Sequence, residues 1–188
     1  MSRALPAPGD PVCLALSGRT LVLVAGVPGV GKSTLLRRLP ARPEVRVLDS
    51  EAQRERLRRL LPSVRYPRLR PWVHLLHRAA VVGAACGGAR TVVVHLPATG
   101  PGLRRAVRGL ARLTGRAPHL LWIEAPPAEA LRGQAERGRL VEGGSFARHV
   151  ARSAGVAERI RSGRLGEGWA TAVAVDRRAA SRGLHLAR

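Results

Sequence analysis

Apolar residues in this chain fall in short unbroken runs, separated by stretches in which they recur every three or four positions. The runs are TLVLVA at 20–25, VRVLD at 45–49, TVVVHL at 91–96, HLLWIEA at 119–125 and ATAVAV at 170–175, each the length of a single strand. Runs that stay apolar at consecutive positions predict strands covered on both faces, as in a parallel sheet. Between them the pattern turns helical in STLLRRL up to Pro40, EAQRERLRRLL, WVHLLHRAAVVGA, GLRRAVRGLARL and PPAEALRGQAERGR. Ser145 is placed to cap a further helix carrying Phe146, Val150, Ala154 and Ala157 on one face. Five strands alternating with helices predict an α/β domain, with about five strands in a mainly parallel sheet and helices on both faces. PSVRYPRLRP at 62–71 is too proline-rich for a regular element and is expected to fold over a site or substrate. VCLAL at 12–16 is expected to add an edge strand after a loose, proline-rich start. The expected division is an N-terminal arm over 1–19 and a single domain over 20–188.

The first long run leads into GVPGVGKST, in which Gly26, Gly31, Lys32 and Ser33 fit the spacing G-x-x-x-x-G-K-[ST] of a phosphate-binding loop. Lys32 is the only lysine among 33 basic residues. Each residue type has a physical task. Glycines let the backbone N–H groups turn inward around an anion, Lys32 reaches the β and γ phosphates, and the Ser33 hydroxyl ligates Mg²⁺. Gly26, Val27, Pro28, Gly29, Val30, Gly31, Lys32, Ser33 and Thr34 are therefore the expected nucleotide-binding segment, and the strand before it and helix after it specify the P-loop NTPase fold. The chain has no asparagine, so the guanine-reading Asn-Lys-x-Asp motif of many GTPases is excluded. It also lacks a Leu-Ser-Gly-Gly-Gln stretch and any strand ending in consecutive acids, which leaves a small phosphotransferase.

The formal charge of +21 predicts attraction to phosphate-rich partners, and it equally fits a compositional preference for Arg over Lys. With 3% aromatics, base stacking on nucleic acid has little support. Cys13 and Cys86 match neither a disulfide framework nor a metal pattern, so both are expected to be buried small hydrophobes in a reducing compartment. No segment reaches the roughly 20 apolar residues of a membrane span, and the expected location is cytoplasmic.

GVPGVGKST after the first of the long strands, Asp49 at the tip of the second, and EALRGQAERGR after the fourth resemble the small P-loop kinases, a group including polynucleotide kinase, gluconate kinase and zeta-toxin-like kinases. The resemblance runs from about residue 20 to 176. It implies ATP with Mg²⁺, Asp49 as the base that takes the proton of an acceptor hydroxyl, and Arg132, Arg137 and Arg139 as lid arginines that stabilise the transferring phosphoryl group. It also places Arg177 near the adenine. The residues support such a site independently, since phosphoryl transfer needs a lysine, Mg²⁺, arginines and one carboxylate near the acceptor. Asp49 is equally positioned to cap the helix that starts at Ser50.

Arg54, Arg65, Arg68 and Arg70 are candidates for an anionic substrate, and His74 and His77 for packing or substrate contact. One position departs from the P-loop pattern: TVVVHLP presents His95 where many P-loop proteins end a strand in an Asp that contacts Mg²⁺ through water, so that either Asp49 or Glu124 substitutes, the metal is held mainly by Ser33 and the nucleotide phosphates, or the nucleotide is bound without fast turnover. The expected function is an ATP-dependent kinase acting on a hydroxyl of a small molecule or nucleic-acid end. The alternative is a nucleotide-gated module that binds RNA or protein through its basic surface.

Overall fold

Strand β2 (Thr20–Ala25) is buried at every position and takes the centre of the sheet that the continuous apolar runs predict. A computed structural model of the chain describes residues 11–135, 143–165 and 167–187. Beside β2 stand β3 (Val45–Leu48), β4 (Thr91–His95), β5 (Ala117–Glu124) and β6 (Thr171–Asp176), in the spatial order β3-β4-β2-β5-β6 with every pairing parallel. Side chains alternate between two apolar layers. Val22 and Val24 of β2 join Leu35 and Leu36 of α1 (Lys32–Arg37) and Ala179 and Ala180 of α8 (Arg177–Ser181). Leu21 and Leu23 join the opposite layer, with α3 (Tyr66–Cys86), α4 (Pro101–Leu113) and α7 (Val156–Arg161). Among the described residues no helix is long and apolar enough to cross a membrane.

The structure corrects several expectations. VCLAL does not extend the main sheet: β1 (Val12–Ala15) pairs in parallel with β7 (Leu184–Ala187), a strand the sequence pattern did not reveal. Val12, Leu14 and Leu16 bury with Leu184 and Leu186 in the first apolar layer, so a second small sheet caps that face. Cys13 and Cys86 are both exposed, because β1 alternates and Cys86 lies on the outer side of α3.

The segment 62–71 is not irregular throughout, since α3 begins at Tyr66 with Pro67 in its first turn, where no N–H is needed. Pro71 lies inside the helix, at a cost of about 3 kcal/mol. The buried stripe Leu69, Val73, His77, Val81 and Ala85 offsets it, at roughly 1.5–3 kcal/mol for each large aliphatic. The predicted helix from Ser145 to Ala157 is two helices. The first, α6 (Gly143–Ser153), starts before Ser145 and ends ahead of Gly155, whose φ of 68 begins α7. Phe146 packs in one apolar layer and Ala157 in the other, which one straight helix face could not do.

Helix α2 (Ser50–Leu60) follows β3 and packs on α3 rather than on the sheet. Chain connectivity sets the direction of α3. Its C-terminal end feeds the start of β4, and its His77 reaches the carbonyl of His95 at the far end of that strand, 3.1 Å away. The turns before His77 therefore project about 16 Å past the carboxyl edge of the sheet.

Candidate active site

Parallel pairing collects the carboxyl ends of all five strands at one edge. The register sets Val24 beside His95 and Leu48 beside Val94, which brings Asp49 against His95 and both beside the loop that leaves β2 at Gly26. On the other side of β2, Glu124 pairs in register with Asp176.

The loop between β2 and α1 is held by its own close approaches. Gly26 has φ 140, and a Cβ there would lie 2.2 Å from the Ile123 carbonyl oxygen. Gly29 has φ 94, and a Cβ would lie 2.0 Å from the Ala130 carbonyl oxygen of α5 (Pro127–Ala135). From the other direction, a Cβ on Gly133 of α5 would meet the Gly29 carbonyl oxygen at 2.4 Å, and the Gln134 amide donates to the Pro28 carbonyl at 3.2 Å. Helix α5 thus rests its backbone directly on the loop. Lys32 is buried, and its Nζ donates to the carbonyls of Gly26 and Val27 at 2.8 and 2.7 Å.

Asp49 lies at the tip of β3. Its Oδ1 stands 2.9 Å from Nδ1 of His95 and accepts the Glu51 N–H at 3.2 Å as the N-cap of α2, and the Ser33 hydroxyl also stabilises the carboxylate. Burial alone would raise the Asp49 carboxyl; the His95 hydrogen bond and charge, the Glu51 N–H and the Ser33 hydroxyl together outweigh it and hold the group well below the usual carboxylate range. Capping and site membership therefore coincide in one side chain. Glu124, the other candidate substitute, is turned away into an ion pair with Arg161 of α7.

His77 sits beneath this pair. Its Nε2–H donates to the His95 carbonyl, which leaves Nδ1 unprotonated and buried, and burial lowers its pKa. The loop after β4 is fixed by Arg104, whose Nη1 donates to the carbonyls of Ala98 and Thr99 at 3.1 and 2.9 Å while its Nε and Nη2 grip Glu167. Thr99 then meets α6, with its Oγ1 2.9 Å from Nδ1 of His149.

Arg177 opens α8 at the end of β6. It donates to the Glu129 carbonyl at 2.7 Å and lies against Gly31 and Gly133. With Glu124, Ala125, Pro126, Glu129 and Asp176 it lines an open cleft of about 770 Å³ next to the loop. Arg132 is exposed on α5, and Arg137 and Arg139 lie outside the described residues. Arg54 stacks over Tyr66 at 4.3 Å and faces Glu51 at 3.8 Å, so it is occupied within α2 and α3. Arg65, Arg68, Arg70 and His74 are exposed, and His77 is a packed core residue. Sequence reasoning missed Gly133, Gln134, Thr99 and His149. Only Gly133 carried a signal, as a glycine inside a helical pattern that marks close backbone approach.

The arrangement joins a glycine loop with a buried ammonium, a hydroxyl that stabilises a carboxylate, and a neighbouring cleft. Among the described residues no group of His, Cys, Asp or Glu could hold a metal by itself. The hydroxyl of Ser33 beside the Asp49 carboxylate supplies hard oxygen donors, the chemistry Mg²⁺ takes when phosphates complete its shell.

Known proteins share the fold. The profile of an AAA domain family matches residues 21–153. No curated protein matches the chain. Among solved structures, one from the PezAT chromosomal toxin-antitoxin system of Streptococcus pneumoniae is similar with TM-score 0.59 and 12% identity, covering 86% of this chain and 68% of that one. The tunicamycin resistance protein of Deinococcus radiodurans gives TM-score 0.51 and 21% identity over 90% of this chain and 99% of that one. A gluconokinase from Sinorhizobium meliloti 1021 gives 0.53 and 17% over 86% and 89%. With a glycine loop, a following lysine and serine, and a five-stranded parallel sheet set in this order, the chain belongs to the AAA domain family and has the fold of the small P-loop kinase-like NTPases.

Proposed function

We propose that the protein is an ATP-dependent kinase that transfers the γ-phosphoryl group of MgATP to a hydroxyl of an acceptor. The observation that carries this proposal is the Asp49 carboxylate, set 2.9 Å from Nδ1 of His95 and stabilised by the Ser33 hydroxyl at the edge that also holds the Lys32 loop. A gluconokinase among the structural relatives agrees with hydroxyl phosphorylation, while a shared fold leaves the acceptor open.

In this proposal residues 26–34 wrap the phosphates, and Lys32 exchanges the carbonyls of Gly26 and Val27 for β and γ phosphate oxygens. The Ser33 hydroxyl would hold Mg²⁺, which when bound would neutralise charge on those phosphates. Arg177 and the cleft beside it take the base and ribose. Asp49 receives the acceptor hydroxyl; as the hydroxyl oxygen bonds to the γ phosphorus, the bond to the ADP oxygen breaks and the hydroxyl proton passes to Asp49. A carboxylate held so far toward ionisation is a weak base, and its main service is to aim the hydroxyl, which suffices for a loose transition state. His95 does not replace the absent acid as a metal contact. It orients Asp49, which assumes the contact with Ser33. Arg132, Arg137 and Arg139 supply the positive charge of a lid.

The test is transfer of radiolabelled γ-phosphate from MgATP into a metabolite and RNA extract, with Lys32→Ala and Asp49→Asn for comparison. A labelled product lost in both variants supports the kinase; label only in free phosphate, unaffected by Asp49→Asn, refutes it. The second proposal is a nucleotide-gated binding module, favoured by the net charge of +21. Its signature is RNA binding that weakens steeply with salt and responds to nucleotide.

A further inference from the structure

Two arginines among the described residues are almost wholly buried, Arg104 at 3% exposure and Arg116 at 2%. They sit at opposite edges of the sheet. Arg116 precedes β5 and donates to the carbonyls of Thr20, Ala84, Ala85, Gly87 and Arg90, at the edge where the strands begin. Arg104 stands near the start of α4, at the edge that carries the glycine loop. Its Nε and Nη2 hold the Glu167 carboxylate at 2.7 to 3.0 Å, and its Nη1 holds the Ala98 and Thr99 carbonyls. Only a guanidinium fork reaches a carboxylate and two carbonyls at once. Glu167 is itself fastened ahead of β6: Trp169 Nε1 donates to its Oε2 at 3.0 Å, and Arg112 of α4 donates to the next carbonyl, that of Gly168, at 2.9 Å. Burial would raise the Glu167 carboxyl, but the bonds from Arg104 and Trp169 outweigh it and keep the group ionised.

What Arg104 holds is a turn that alanine does not adopt by itself. Ala98 has φ 41, in the left-handed region, and among the described residues no other residue except glycine has a positive φ. A conformation of this kind persists where its surroundings over-determine it, and Ala98 is buried with its carbonyl bound to Arg104. The residue before it meets the glycine loop: the Pro97 carbonyl accepts the Gly26 N–H at 3.2 Å. Gly26 is therefore fixed from both neighbouring strands, by this bond on the β4 side and by the Ile123 carbonyl of β5, against which no Cβ would fit. The carbonyl of the same glycine receives the Lys32 ammonium at 2.8 Å. Contacts thus run without a gap from Glu167 through Arg104 and the turn at 97–99 to Gly26 and Lys32.

We infer that Arg104 and Glu167 are positioning residues for the phosphate loop: their ion pair, closed across 63 positions of sequence, locks the turn at Ala98 so that Pro97 holds the entrance of the loop at Gly26. Nucleotide affinity then depends on a pair that stands outside the loop. The inference rests on the nucleotide-binding part of the kinase proposal and not on phosphoryl transfer. Arg116 supplies the contrast, since it is equally buried and equally rich in bonds to carbonyls, yet lies at the other edge of the sheet.

The experiment compares the full native chain with Arg104→Lys, Glu167→Gln and Arg116→Lys, all below their melting temperatures. Hydrogen exchange of the Gly26 amide is read first, without nucleotide, and calorimetric titration with a non-hydrolysable Mg²⁺-ATP analogue second. Arg104→Lys and Glu167→Gln should each speed the Gly26 amide and weaken the nucleotide by about tenfold, within the range of couplings between packed groups. Neither effect is one of charge. Arg104→Lys keeps the charge, and Glu167→Gln makes the chain more positive, which by itself favours a polyanion. Glu167→Gln also preserves shape and carries the test if Arg104→Lys folds poorly. Arg116→Lys should lower Tm while leaving Gly26 exchange and nucleotide affinity at native values. The inference is overturned if Arg104→Lys and Glu167→Gln lower Tm but leave both readings native, or if Arg116→Lys changes both readings to the same extent. A chain that shows the Gly26 response but takes up no nucleotide would refute the nucleotide-binding proposal and leave the brace on the loop standing.

Discussion

Replacing Gly133 by alanine inverts an expectation based on helix propensity alone. Alanine in a helix interior is favoured over glycine by about 1 kcal/mol, so α5 by itself would gain from the change. In the folded protein the added methyl lies 2.4 Å from the Gly29 carbonyl oxygen and 3.0 Å from Nη1 of Arg177. Arg177 is the end of a side chain and yields cheaply, but the Gly29 carbonyl is backbone. Carbon and oxygen rest at about 3.3–3.6 Å, so α5 and the loop must separate by roughly 1 Å. Overpacking of this kind costs about 1–3 kcal/mol, and with a backbone neighbour the upper figure applies. The net loss is then about 2 kcal/mol, or roughly 4–8 °C in Tm for a chain of this size. Gly109 in α4 is the matched control, because a Cβ there meets nothing within 4 Å, and Gly109→Ala should raise Tm by about 2–4 °C. Thermal unfolding followed by circular dichroism reads both variants, and nucleotide titration of Gly133→Ala should show weakened affinity because Gly29 has moved. If both substitutions raise Tm equally, α5 does not rest on the loop, and the placement of Arg177 beside it fails as well.

Three further outcomes follow from the same contacts. Asp49 has a folded pKa below its ordinary 3.8, so its stabilisation is complete above that pH and is lost as pH falls below it; urea unfolding should show Asp49→Asn less stable than the native chain by a constant amount from pH 7 to 5, with the gap closing below about pH 4. His77 has a folded pKa below its ordinary 6.5, so its protonation opposes folding and stability declines as pH falls through 6.5; His77→Gln, which keeps a donor for the His95 carbonyl, should show a shallower decline between pH 7 and 5 in the same assay. Leu14→Ala should cost about 2–5 kcal/mol in denaturant unfolding, since Leu14 is fully buried between β1, β7 and the main sheet; a cost under 1 kcal/mol would mean that the β1–β7 sheet is not part of the cooperative core.

Sequence alone determined the central sheet and the nucleotide loop. Both are encoded locally: β2 and β5 are apolar at consecutive positions because both faces are covered, and a loop that turns N–H groups toward an anion needs glycines, a lysine and a serine at close spacing. Asp49 was legible for the same reason, as an acid at a strand tip before a helix. Contacts between distant segments left no comparable trace. His149 meets Thr99 from 50 residues away, and Gly133 meets Gly29 only because two elements far apart in sequence pack backbone to backbone. Strand β7 was hidden because its partner is β1, at the other end of the chain, and four residues of alternating burial are too few to register as a strand by themselves. Proline misled at 66–71, where a buried stripe repeating every four residues outweighs the local cost of Pro71. At His95 the residue type suggested a lost metal contact. Only the parallel register, which sets the tips of β3 and β4 side by side, brings the histidine of one strand against the acid of the next.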